Sequence, residues 1–292
     1  MAYPLDHLVL PVANLSQARD RLSCLGFTVA AGGQHPFGTA NACVFLADGT
    51  YLEPLAVFDP SLYEEAMKAL NSFIRRDESY RTRCGEDGFS AVVLATDNAL
   101  EDHENFEMLG LSGGRPVEFS RPIVLPDGRH VQGAFRLAFA ADLRSPEIFF
   151  FTCQRLVAFP SDRRSLETHL NGVIGMRTVV LCSQTPKSFA PVLSAATNIS
   201  STRRTAFGLS INLPNVELAV MTPDGVEGLF DYAPAVPKGA LQAVAIVFRS
   251  SNLAVTESHL AANGITYTRK QERILVKPAP GQGAVFAFEE TE

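Results

Sequence analysis

His7 and Glu53 are the residues whose types and spacing bear most directly on chemistry. His7 lies in LDHLVLPV and Glu53 in TYLEPL, two short runs whose β-branched and leucine content suits strands. A strand's two-residue period places His7, Val9 and Pro11 on one face of the first run, and Tyr51, Glu53 and Leu55 on one face of the second. If the two strands neighbour each other in a curved sheet, an imidazole and a carboxylate meet inside its concavity. A carboxylate and an imidazole so placed are of the types that ligate a metal or exchange protons. The alternative is a structural hydrogen bond, because a carboxylate buried in an apolar strand needs a partner.

The elements around these two residues must do the positioning. After the first strand, Asn14 or Ser16 caps a helix with Leu15, Ala18, Leu22 and Leu25 as its apolar stripe and Gly26 as its stop. The glycine-rich Gly32-Gly33-Gln34-His35-Pro36 follows, where His35 either leans over the cavity or is loop surface. Residues 41–46 and 51–57 read as a hairpin around Asp48-Gly49. Residues 59–88 change character: a helical stretch over 62–74 and then the charged RRDESYRTRCGEDG, read as a connection.

The strand, helix and strands pattern then repeats. A second copy has strands at 89–96, 116–120, 130–140 and 148–153, a helix at 99–109, and a turn at Pro126-Asp127-Gly128. In 130–140, Gln132, Ala134, Arg136 and Ala138 alternate with Gly133, Phe135, Leu137 and Phe139, giving one polar and one packed face. Weaker copies have strands at 176–182, 205–213 and 216–222 with a helix at 186–196, and strands at 241–248, 266–269, 273–276 and 284–288 with a helix at 252–262. The fold class expected is α+β: four βαβββ modules, two per domain, forming barrel-like curved antiparallel or mixed sheets with flanking helices. The boundaries are an N-terminal domain at 1–155, a linker at 156–172 and a C-terminal domain at 173–292.

The segments LDHLVLPVANL, GGQHPFGTAN and DGTYLEPLA, in that order, resemble the first module of the vicinal oxygen chelate superfamily, and more narrowly its glyoxalase-like proteins. The resemblance implies that first and last strands of paired modules deliver His, Glu or Gln side chains to one divalent ion, such as zinc, iron, manganese or nickel. Here His7 and Glu53 match the first-module half of that set. The second module departs from it: FSAVVLAT offers only Ser90, and EIFFFTC has Glu147 just before it and Gln154 just after. His35 or His169 would have to complete a site. Asn41 resembles the family's GTxN position. Arg121 and Arg136 match an arginine-bearing region of the second module, where either binds a substrate carboxylate or phosphate or forms an ordinary salt bridge. Arg136, on a strand face of small residues, is the better placed. His169-Leu170-Asn171-Gly172 resembles the family's HPNG element with Leu for Pro, and reads as a turn between domains. The C-terminal strands MRTVVLC and LQAVAIVF carry no ligand, so Glu217 and Glu289 read as structural.

By this resemblance the chain acts on a small oxygen-rich molecule held by His7, His35, Asn41, Glu53, Arg136, Arg121, Gln154 and His169, as a lyase, isomerase or dioxygenase. A second reading is a metal-free sequestering protein, as in antibiotic-binding relatives, and a third is a scaffold. A homodimer is also compatible with the resemblance.

Composition narrows the classes. Across 292 residues the net charge is −6, so no global positive field exists to hold nucleic acid or an anionic membrane. There is no secretory leader pattern and no run of about 18 apolar residues, so a cytoplasmic protein is expected. The five cysteines are odd in number and lack CxxC spacing, which argues against a disulfide framework or zinc knuckle. Nucleophile-elbow, phosphate-loop, HExxH and GxGxxG patterns are all missing.

Overall fold

The strand and helix periods of the sequence resolve into two curved sheets in a computed structural model that describes residues 1–125, 128–157 and 163–291. The first contains β1 (Leu5–Pro11), β2 (Gly33–Gln34), β3 (Thr39–Asn41), β4 (Val44–Phe45), β5 (Tyr51–Val57), β6 (Ala91–Ala95), β7 (Val117–Val124), β8 (His130–Ala140) and β9 (Phe149–Arg155). Its strand order is β2-β3-β5-β1-β6-β9-β8-β7, with β4 also on β5. The second contains β10 (Val173–Cys182), β11 (Arg203–Thr205), β12 (Gly208–Asn212), β13 (Glu217–Met221), β14 (Gln242–Ser250), β15 (Thr268–Lys270), β16 (Arg273–Val276) and β17 (Val285–Glu290), ordered β11-β12-β13-β10-β14-β17-β16-β15. Both are mixed. In the first, β1 runs parallel to β5 and antiparallel to β6, so two strand–helix–strands units join along their leading strands. The second sheet repeats this arrangement with β10, β13 and β14. The α+β expectation and its module repeat are therefore met.

Each unit carries a helix after its leading strand: α1 (Leu15–Cys24), α4 (Ala99–Met108), α5 (Ala190–Thr197) and α7 (Leu253–Ala262), with α6 (Pro223–Phe230) added in the second half. The Asn14 side chain caps α1 by accepting from the Ser16 and Gln17 amides. Gly26 follows with φ of 90°, where a Cβ would stand 2.8 Å from Asn171, so the helix exit must be bare. One apolar cluster joins α1, α4, α5 and α7 to the outward faces of both sheets. It includes Leu8, Leu10 and Leu94 from the first sheet and Val179, Leu181 and Phe248 from the second. Phe27 lies at its centre, with ring centroids 5.3 Å from Phe248 and 6.1 Å from Phe286.

The charged stretch after residue 74 is not a loose connection. It belongs to α3 (Ser72–Cys84), which with α2 (Pro60–Lys68) covers the concave face of the first sheet. Phe73, Ile74, Asp77, Tyr80 and Arg81 are buried at helical spacing. Arg81 pairs with Asp77 at 2.8 Å and donates to the carbonyls of Leu55 and Val12, tying the helix to the ends of β5 and β1. In the second sheet the concave face is filled by apolar side chains, including Val226 and Phe230 of α6. Pro126 and Asp127 of the expected turn, and residues 158–162 of the expected linker, lie outside the described residues. Among the described residues no helix is long and apolar enough to cross a membrane.

Candidate active site

The parallel pairing of β1 with β5 sets His7 opposite Tyr51 and Val9 opposite Glu53. This register brings His7 Nε2 within 3.3 Å of Glu53 Oε2. On its other side, His7 Nδ1 lies 2.8 Å from Asp6 Oδ2. Adjacent residues of a flat strand point to opposite faces, but β1 is bulged against β6 between Leu5 and His7. The extra residue turns Asp6 to the side of His7. Asp6 Oδ1 then accepts from Arg155 Nη2 at 2.6 Å, and Asn41 Nδ2 donates to Glu53 Oε1 at 2.6 Å. The result is a continuous polar line, Arg155, Asp6, His7, Glu53, Asn41, inside an apolar cup.

Burial alone would lower the His7 pKa, yet the hydrogen bonds to Asp6 and Glu53 override it and hold the imidazole above its ordinary value. Glu53 moves the other way: burial would raise it, but His7 and Asn41 hold its carboxyl down at about 2. Asp6 is likewise lowered, against its burial, by His7 and Arg155. The two flanking carboxylates thus favour the protonated, imidazolium form of His7. Tyr51 stacks flat on it, with ring centroids 4.4 Å apart and planes at 15°.

His35 joins from the loop side. Its Nδ1 is 3.0 Å from Thr39 Oγ1, its ring lies parallel to Phe37 at 5.1 Å, and its Nε2 is 3.7 Å from Glu53 Oε1. Burial pushes its pKa down to about 4, so it stays neutral. Two imidazole Nε2 atoms thus turn to one carboxylate, while the Nδ1 of each is fixed by a neighbour, the way ligating histidines are held. By donor chemistry this set fits a divalent ion. The geometry present is the closed ion pair: among the described residues no three His, Cys, Asp or Glu side chains are spread at coordinating spacing. The second module adds no donor, since Val93 stands opposite His7 and Phe151 packs T-shaped against it with ring centroids 5.8 Å apart.

A cavity of about 260 Å³ opens beside this line. Asn41, Cys43, Tyr51, Arg121, Arg155 and Arg163 are among its polar walls, with Ala30, Ile123, Phe135 and Leu166 on the apolar side. His7 and Glu53 lie one layer behind Tyr51 and Asn41. Burial pushes the Cys43 thiol far above its usual range, so it is no nucleophile.

Three expected site residues stand elsewhere. Arg136 is on the opposite face of β8 from Phe135 and pairs with Glu118 at 2.8 Å. The face read as polar is the outer one, and of these two arginines it is Arg121, two strand periods along from Val117 on β7, that reaches the cavity. Gln154 also points outward, accepting from the Ala99 amide and donating to the Asp97 carbonyl at the start of α4. His169 bonds the Thr28 amide through Nδ1 at 3.0 Å and the Phe45 carbonyl through Nε2 at 2.9 Å. It is a neutral clamp between the chain after Leu166 and the first module. Asp6 and Arg155 were missing from the expectation. The parity of Phe151 and Cys153 in β9 points to Arg155, whereas nothing in LDHLVLPV announces the bulge that brings in Asp6.

Solved structures with this architecture span the whole chain. A hypothetical protein from Staphylococcus aureus matches with a TM-score of 0.65 at 12% identity, covering 98% of this chain and 99% of that one. A mutant 4-hydroxymandelate synthase from Streptomyces coelicolor matches at 0.60 and 12%, covering 99% and 93%. The Mn(II)-bound glyoxalase from Novosphingobium aromaticivorans matches at 0.52 and 8%, covering 99% and 82%. At such identities the likeness is one of fold. No curated protein matches the sequence. The model of the glyoxalase-like domain matches residues 5–197, from β1 through α5, and with the paired-module sheets it shows that this chain belongs to the glyoxalase-like domain family of the vicinal oxygen chelate superfamily.

Proposed function

We propose that the chain is an enzyme of the lyase or isomerase type that takes a small oxygen-bearing molecule into the cavity beside Asn41 and Tyr51 and moves a proton on it through His7 and Glu53. The observation that carries this reading is the polar line from Arg155 to Asn41. A purely structural pair would need one partner each; here His7 is held between two carboxylates, charged, one side chain away from a cavity. His7 is the proton donor and the ionised Glu53 the acceptor, with Asp6 fixing the ring and Asn41 orienting the carboxylate. Asn41 must swing aside for a ligand to reach Glu53, and Tyr51 shields the imidazolium from water.

His7, His35 and Glu53 would hold a divalent ion in place of the proton that His7 presents to Glu53. Such an ion supplies Lewis-acid polarisation of a ligand oxygen. The manganese carried by the similarly folded glyoxalase supports that reading. Elemental analysis of the purified protein separates the two states: stoichiometric metal, lost in His7→Ala, His35→Ala and Glu53→Ala alike, would make His7 a ligand, and metal-free protein leaves it the proton donor.

The catalytic test is solvent-deuterium incorporation into candidate hydroxy- and oxo-compounds, followed by NMR. General acid–base groups contribute about 10²–10⁴-fold, so His7→Asn and Glu53→Gln are expected to lower incorporation by at least about 100-fold while ligand affinity changes far less. The burial of His7 and Glu53 behind Tyr51 and Asn41 favours one competing reading, a sequestering protein. Tight binding with no incorporation by the wild type would establish it and sink the enzyme.

A further inference from the structure

The cavity holds more positive charge than its surroundings neutralise. Arg155 is balanced by Asp6, and His7 by Glu53. Arg121 and Arg163 form no ion pair among the described residues, and the Nε of each is buried without a hydrogen-bond partner. A guanidinium N–H kept from water and unpaired costs free energy, so these walls are complete only when something brings acceptors to them.

Their placement says what kind of molecule that is. Arg163 lies over the Phe45 ring at 4.4 Å from its centroid, a cation–π contact that holds it against this wall. Arg121 reaches across from β7 to the backbone of β2. A Cβ at Gly33 would stand 2.3 Å from Arg121 Nη1 and 2.8 Å from Asn41 Oδ1. A side chain at this position would push the guanidinium from its place beside Asn41, the side chain that holds Glu53. The remaining wall, built from Ile123, Phe135 and Leu166, has no polar group to offer.

We propose that the cavity selects an apolar-bodied carboxylate, with the anion on the guanidinium fork of Arg121 and the body against Ile123 and Phe135. A planar fork matches a carboxylate through two parallel hydrogen bonds. The volume suits a single ring or a short chain. This assignment rests on the same cavity as the proton-transfer reading and would set the carbons next to the carboxylate closest to Asn41 and Glu53.

Titration calorimetry on the full chain tests it with three probes: 3-phenylpropanoate, the uncharged 3-phenylpropanamide, and benzyl phosphate. The carboxylate is expected to bind at least tenfold more tightly than the amide and the phosphate. Arg121→Gln is expected to abolish that preference without lowering the melting temperature by more than a few degrees. Gly33→Ala, which keeps the charge but displaces the guanidinium, is expected to weaken carboxylate binding by a similar factor. Equal binding of amide and carboxylate, a preference for the phosphate, or an unchanged preference in a folded Arg121→Gln protein would each overturn the assignment. Affinity is read without turnover: a protein that prefers the carboxylate but moves no proton keeps this assignment and overturns the enzyme reading.

Discussion

An imidazolium between two carboxylates is an unstable thing to bury unless each charge is answered, and in this protein each is, from Arg155 at one end to Asn41 at the other. In Glu53→Gln one of the two anions is gone, so the His7 ring, followed by NMR, is expected to titrate lower than in the wild type; an unmoved titration would show that the pair does not form in solution. The histidines also have opposite signs in stability. His35 is held down at about 4, so its contribution is whole above pH 6.5 and is lost as pH falls from there towards 4, amounting to about 3 kcal/mol. Glu53, lowered to about 2, adds a loss from pH 4.5 towards 2. His7 is raised, so its contribution is whole below pH 6.5 and is lost as pH climbs through its folded value. Urea titrations at pH 7 and pH 4.5 are therefore expected to show the wild type weaker at pH 4.5, and His35→Phe with a smaller difference. The pairing of His7 with Glu53 was legible because a strand's period is fixed and both residues sit in clean apolar runs. Asp6 was not, because a bulge changes the period by one residue and leaves no mark in composition. Strand parity puts Arg136 on the face opposite to that of Phe135, which meets the cavity, and Gln154, expected from its place at the end of the last strand, yields to Arg155, which shares the parity of Phe151 and Cys153.

At the scale of elements, the helix pair inserted between the two modules decides whether the cup exists. Arg81 is bonded at once to Asp77 and to the backbone at the ends of β5 and β1. Removing one partner of a buried pair costs about 3–5 kcal/mol because the other is left charged and unanswered. Arg81→Met is expected to lose stability in that range by chemical denaturation, and the double variant Asp77→Leu with Arg81→Met to lose clearly less. A double variant as weak as the single one would mean that the backbone contacts of Arg81, not its partner, carry the cost. This helix was read as a charged connection because its inward positions include an aspartate and an arginine, so the helical period is there but not in hydrophobicity. The module strands and their helices read more easily: their inward residues are valine, leucine and phenylalanine, and their stops are glycines.

In the whole molecule the two sheets share one core. Phe27 leaves α1 and enters rings of the second sheet, Phe248 and Phe286 among them, and Asp48 in the turn before β5 accepts from the Met176 amide and from Arg249. Phe27→Ala is expected to cost about 3–5 kcal/mol, with calorimetry showing a single transition in wild type and variant. Two separated transitions would mean that the halves unfold independently. The common core also divides the mutational tolerance of the second half unevenly. Its concave face is packed with apolar side chains such as Val226 and Phe230, and conservative apolar exchanges among them need only keep volume; its outward face must keep matching Phe27 and α1. In a library scored for function of the first cup, the second half is expected to accept change on its inside and refuse it on its back. A duplicated unit can thus dictate, from behind, which substitutions its twin survives.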